Sequence, residues 1–123
     1  MKYIKGNVYY ADLEPIIGSE QGGIRPVIFL QNIEGNLNNP TVIVAPLTKR
    51  MHNKPNLPAH VNINKFANLK YDSIILLEQV RVIDKSRIKN DFIGRVNEKT
   101  IRKINKALEE VFDLKRRPTM KSQ

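Results

Sequence analysis

Arg25 follows directly on a connection, Ile16-Ile17-Gly18-Ser19-Glu20-Gln21-Gly22-Gly23-Ile24, that interleaves three glycines with three polar side chains. Glycine lets a backbone adopt positive φ and lets a ligand come close to it. A guanidinium placed at the mouth of such a loop can grip a phosphate through two parallel N–H donors. Two readings stand open for this segment: a plain hairpin loop, or an anion-binding loop. A second segment, Pro46-Leu47-Thr48-Lys49-Arg50-Met51-His52-Asn53-Lys54-Pro55, sets a hydroxyl beside several cations and a histidine. It reads either as a solvated basic loop or as a strand-end platform. In the second case Thr48 donates a hydrogen bond and the cations follow a polyanion backbone.

Other catalytic arrangements find little support. His52 and His60 lie eight residues apart with no third ligand at metal spacing, so a zinc site is not expected. The pair could in principle act as acid and base in RNA cleavage. With no cysteine in the chain, thiol nucleophiles, thiolate–zinc sites and disulfides are excluded. No Gly-rich Walker loop and no GxSxG elbow is present. Glu78 and Asp84 form no recognisable carboxylate pair, and Asp12, Glu14 and Glu20 read as solvated acids near the first loop. No metal and no cofactor is expected.

These residues must be positioned by a chain that reads mostly as β. Asn7–Leu13 is rich in strand formers and ends at Glu14-Pro15, where proline stops a ladder. Arg25–Gln31 is apolar on both faces, which predicts a central strand, and Thr41–Thr48 is a third strand. His60–Ile63 is a short half-buried strand, Ser73–Ile83 a long one, and Phe92–Val96 a short last one. The period then changes. Ile101, Ile104, Leu108, Val111 and Phe112 form one apolar stripe of an amphipathic helix, with Asn97 as N-cap and Arg102, Lys103 and Lys106 opposite. Tyr3, Tyr9 and Tyr10 either pack the core or stack on bases. Short strands with turn-rich spacers and one late helix predict a mainly β (α+β) fold, a small, strongly curved barrel with the helix packed on it. Residues 1–114 are expected to form one domain, and 115–123 a flexible basic tail.

The chain has 123 residues and carries 21 Lys+Arg against 12 Asp+Glu, a net charge of +9. That excess favours polyanionic partners, nucleic acid or a membrane surface. The start of the chain lacks the apolar stretch of a signal peptide and no run is long enough to span a membrane, so the expected compartment is the cytoplasm.

Longer blocks carry a resemblance. Gly6-Asn7-Val8-Tyr9-Tyr10-Ala11-Asp12-Leu13 is followed by Gly18-Ser19-Glu20-Gln21-Gly22-Gly23-Ile24-Arg25-Pro26-Val27. Gln31-Asn32, Pro40–Thr48 and Asp72–Lys85 then come in the same order and spacing. Together they resemble the MazF/PemK (Kid) family of toxin endoribonucleases, most of all its MazF branch from Gram-positive bacteria. The resemblance covers roughly residues 3 to 112.

That resemblance implies an SH3-like barrel of the MazF/CcdB plasmid-maintenance-toxin type with a C-terminal helix. It implies the toxin of a type II toxin–antitoxin system, a homodimer that cleaves single-stranded RNA at a short motif without metal. The 2′-hydroxyl would attack its own phosphodiester, giving a 2′,3′-cyclic phosphate and a 5′-hydroxyl. Arg25 and Thr48 are implied as catalytic. Ser19, Glu20, Gln21 and Gln79 are implied as base readers and Lys49 as a phosphate contact, although Gln79 could instead satisfy buried backbone. The implied partner is a MazE-like antitoxin whose acidic C-terminal segment covers the RNA groove, with operator DNA bound only together with that antitoxin. A CcdB-like non-catalytic toxin is the alternative on the same barrel. It fits less well, since the chain has no Trp and ends Lys121-Ser122-Gln123 where CcdB proteins end in Trp-Gly-Ile. An RNA- or DNA-binding module without activity is a further alternative.

Overall fold

The computed structural model describes residues 2–32, 38–51 and 56–114. Its strands are β1 (Asn7–Asp12), β2 (Ile24–Phe29), β3 (Thr41–Lys49), β4 (His60–Ile63), β5 (Ser73–Leu76), β6 (Arg81–Asp84) and β7 (Ile88–Arg95). One helix, α1 (Glu98–Val111), follows. All pairings are antiparallel, in the order β4-β5-β3-β2-β1-β7, with β6 also paired to β3. The two register shifts between β1 and β7 bend that edge and help to curl the sheet.

Both faces of the central strands are buried, which is why their sequences run apolar without alternation. On one face Val8, Ile28, Ala45, Leu47, Ile75 and Leu77 pack with Ile104 and Ala107 of α1. On the other, Tyr9, Val27, Phe29, Val42, Val44 and Ile83 form a second core. Tyr9 stacks on Phe29 with ring centroids 5.5 Å apart, and Tyr3 lies 5.4 Å from the same ring, so these two tyrosines are packing residues. Asn97 caps α1 as expected, its side chain accepting from the Thr100 N–H at 2.8 Å. Phe112, expected on the apolar stripe, is instead the exposed C-cap residue.

β1, β2 and β3 fall within two residues of their expected bounds, and two other strands differ more. The long strand over 73–83 is in fact β5 and β6, separated by a 3-10 turn, Leu77–Gln79. β5 pairs with the C-terminal half of β3 (Leu47 with Ile75) and β6 with its N-terminal half (Val42 with Ile83). The break lets one segment of chain cover the whole length of β3 on its open side. The last strand begins at Ile88, four residues earlier than expected, because Lys89, Asn90 and Asp91 are exposed on an edge strand whose polar residues hide its period. The expected basic tail, 115–123, lies outside the described residues.

Candidate active site and RNA interface

Arg25 and Thr48 come from neighbouring antiparallel strands. The β2–β3 pairing runs from Phe29–Val44 to Val27–Pro46, and Arg25 and Thr48 each lie two residues beyond its last pair. The guanidinium is fixed by two backbone carbonyls. Its Nε donates to Gly22 O at 2.7 Å and its Nη1 to Leu47 O at 3.3 Å. The second bond ties the arginine to the residue before Thr48. Both side chains are half-buried and line one hollow of about 330 Å³ together with Lys49, Tyr10, Lys70 and Tyr71. β3 runs through Lys49, so Thr48 and Lys49 belong to a strand end and not to the loop after it.

Ser19, Glu20, Gln21 and Gln79 line a second hollow of about 430 Å³, with Glu78 and Arg81. Pro46 lines this hollow while the next residue, Leu47, lines the first, so the two share the β3 strand end. The Gly-rich connection between β1 and β2 is heavily tied. Gln79 Oε1 accepts from the Gln21 N–H at 2.9 Å. Glu20 Oε1 accepts from the Ile17 N–H at 2.7 Å, and Glu14 Oε2 from the Gly23 N–H at 2.6 Å. Arg81 donates to Leu13 O at 3.3 Å, and Arg87 donates to the carbonyls of Asp12 and Glu14. Gly18 and Gly23, at φ 58° and 75°, supply the left-handed turns this path requires.

A fixed loop of this kind presents Ser19 and Glu20 at an exposed tip, with Gln21 half-buried below them. Gln79 therefore has a structural task, holding the loop, whatever else it contacts. Its carboxamide NH₂ has no such commitment in that bond and retains two donors for a ligand.

Of the two histidines that could in principle act as acid and base, His52 lies outside the described residues. His60 places Nε2 2.7 Å from Glu78 Oε2, and its buried Nδ1 has no hydrogen-bond partner. Among the described residues, no group of three or more His, Asp or Glu side chains could hold a metal ion.

Several residues of the first hollow escaped sequence reasoning. Lys70 and Tyr71 reach it from the turn before β5, more than twenty residues beyond Thr48. Lys49 Nζ sits 4.6 Å from the centroid of the Tyr71 ring, a cation–π contact at the rim. Below it Asp72 accepts from the Lys65 N–H at 2.8 Å and pairs with Arg50 at 3.3 Å. The Lys65 N–H and the Arg50 guanidinium hold the Asp72 carboxyl below its ordinary 3.8.

Comparison with known proteins shows the family and the fold. Residues 4–112 match the family model for the PemK-like, MazF-like toxin of type II toxin–antitoxin systems. The chain is 49% identical over 106 residues to the endoribonuclease MazF of Staphylococcus saprophyticus, covering 85% of this chain and 87% of that one. It is 47% identical over 106 residues to the endoribonuclease EndoA of Bacillus subtilis, covering 85% and 90%. Among solved structures, a mycobacterial endoribonuclease in complex with its cognate antitoxin superposes with a TM-score of 0.76 at 23% identity, over 93% of this chain and 98% of that one. MazF of Deinococcus radiodurans superposes with a TM-score of 0.74 at 22% identity, over 89% and 96%. The barrel-like sheet with its C-terminal helix is thus the fold of these toxins.

Proposed function

The chain belongs to the PemK-like, MazF-like toxins of type II toxin–antitoxin systems and is an endoribonuclease, and on that premise we propose how its site works. Its substrate is single-stranded RNA, cut at a short sequence by attack of a 2′-hydroxyl on the adjacent phosphodiester, without metal. The observation that carries this reading is the shared hollow of Arg25 and Thr48, with Lys49 beside them.

As the 2′-oxygen bonds to phosphorus, negative charge grows on the non-bridging oxygens. Arg25 keeps N–H donors beyond the two spent on Gly22 O and Leu47 O, and a prepositioned donor is worth most where charge develops. The same two bonds hold the guanidinium in place before substrate arrives, so little reorganisation is needed in the transition state. Its task in this reading is charge stabilisation. The Thr48 hydroxyl orients the phosphate or the attacking 2′-hydroxyl. Lys49 holds an adjacent phosphate. Ser19, Glu20, Gln21 and the free amide of Gln79 read the edges of unstacked bases in the second hollow.

Two such chains act as a homodimer. A MazE-like antitoxin lays an acidic C-terminal segment over the same cationic surface, and operator DNA is bound only in that complex. Charge supports both partners: a net +9 suits an RNA and an acidic inhibitor that competes with it. The test is to map fragment ends after incubating the purified protein with a long single-stranded RNA in EDTA. Cuts at a few short sites with 2′,3′-cyclic phosphate ends support the reading. Loss of cutting in EDTA, or 3′-hydroxyl products, contradicts it.

A further inference from the structure

Three hollows share their walls in sequence. The one that holds Arg25 and Thr48 is bounded by Lys49, Lys70 and Tyr71. Those three residues also line the next, of about 630 Å³, which reaches Asn62, Lys65 and Asp72. Asn62 and Lys65 in turn line a third, of about 370 Å³, which ends at Arg95, Lys99 and Lys103 beside the first turns of α1. The result is one trough that leaves the Arg25–Thr48 centre and runs across the β4–β5 end of the sheet to the start of the helix.

Its charge is lopsided. Asp72 is already neutralised by Arg50. Among the described residues none of Lys65, Lys70, Lys99 and Lys103 is held in an ion pair with a carboxylate, and all four are exposed. Arg95 is engaged with the Lys5 carbonyl at 2.6 Å but keeps its charge on the rim. The start of α1 adds a partial positive charge of its own. Between the cations stand amide and hydroxyl side chains, Asn62, Asn64 and Thr100, suited to phosphate and sugar oxygens. Tyr71 is 54% exposed, with the Lys49 ammonium over its ring.

We infer that this trough is an extended binding track for the RNA strand that flanks the cut, running from the scissile centre to the N-terminus of the helix. The inference rests on the reading of Arg25 and Thr48 as the cleavage centre and adds where the rest of the substrate goes. A cationic groove punctuated by an aromatic platform is the pattern that follows a single strand without reading its sequence. A nucleobase uses the face of Tyr71, whereas an acidic peptide has no need of it. The track therefore adds affinity and salt dependence, and no sequence preference.

The experiment uses the 123-residue chain and the triple variant Lys65→Gln/Lys99→Gln/Lys103→Gln. These side chains are exposed, and the backbone N–H of Lys65 that serves Asp72 is untouched. Two substrates are compared: a short single-stranded oligonucleotide spanning one mapped cut, and the same one extended by about ten nucleotides on each side, within the reach of such grooves. Wild-type protein should cleave the extended substrate about tenfold more efficiently at low salt, with a log–log salt slope steeper by roughly 2 for three phosphate contacts on a single strand. The triple variant should cleave the short substrate as wild type does and show neither the gain nor the extra slope. Cleavage of the short substrate by both proteins tests the centre itself, so failure of the track and failure of the centre are separable. Retention of the full gain by the triple variant, or no gain in wild type, overturns the track. So does a triple variant that keeps the gain but loses inhibition by poly-glutamate, which would assign the surface to an acidic protein partner.

Discussion

Gln79 and Gln21, 58 residues apart, are joined by one hydrogen bond: the Gln79 carboxamide oxygen accepts from the Gln21 N–H at 2.9 Å. The bond links the 3-10 turn between β5 and β6 to the Gly-rich loop, and Gln79 shares a hollow with the tip residues Ser19 and Glu20. Loop geometry is therefore set partly from outside the loop.

Replacing Gln79 by alanine removes that anchor. One neutral hydrogen bond is worth about 1 kcal/mol of stability, so Gln79→Ala should lower Tm by only a few degrees. Its effect on cleavage should be larger, roughly tenfold in kcat/KM, with cuts appearing at sites that wild type ignores. End mapping on one long RNA checks both. An unchanged cleavage pattern would show that the loop holds its shape without Gln79.

Gly22 is fixed by a crowded neighbour. A Cβ there would collide with Glu14 Oε2 and stand 3.0 Å from Ile16 Cδ1. Glu14 Oε2 is the acceptor for the Gly23 N–H, and Gly22 O is the acceptor for Arg25 Nε. The Glu14 tip can swing aside at the cost of its bond to Gly23, so Gly22→Ala should loosen the turn whose carbonyl holds Arg25 and lower kcat, while the fold survives. Circular dichroism with single-turnover cleavage separates the two effects.

Asp72 gives the protein an acid-sensitive contact. The Lys65 N–H and Arg50 keep its folded pKa below 3.8, so its contribution to stability is fully present above that value and fades as pH falls through the folded one. The Tm difference between wild type and Asp72→Asn should be constant from about pH 8 to about pH 5 and shrink below about pH 4. Asp84, lowered by the hydroxyl and N–H of Ser86, is common to both proteins and drops out of the difference. A gap that varies near neutral pH would assign the contact to another group.

Much of this architecture was legible in the sequence, for particular reasons. β1, β2 and β3 bury both faces, and unbroken apolar runs such as Val27-Ile28-Phe29 announce that without any alignment of strands. Asn97 and the stripe through Ile104 announce α1. The break at Leu77–Gln79 was hidden, because apolar residues continue through it and only the change of partner half along β3 requires it. At the site, Arg25 and Thr48 stood out by residue type beside polar loops. Lys70 and Tyr71 did not, since nothing local marks a turn residue that tertiary folding brings to the hollow. The loop's rigidity was equally hidden: beside the local ties of Glu14 and Glu20, it is held by Gln79, Arg81 and Arg87 on distant segments.

The account turns most directly on Arg25. The measurement is single-turnover cleavage of a long single-stranded RNA in EDTA by wild type and by Arg25→Ala, with folding of the variant checked by Tm. Loss of one prepositioned donor group at developing charge predicts a rate lower by a factor of about 10² to 10³, with RNA still bound and the fold intact. A folded Arg25→Ala protein that cuts the same sites at the wild-type rate would contradict it.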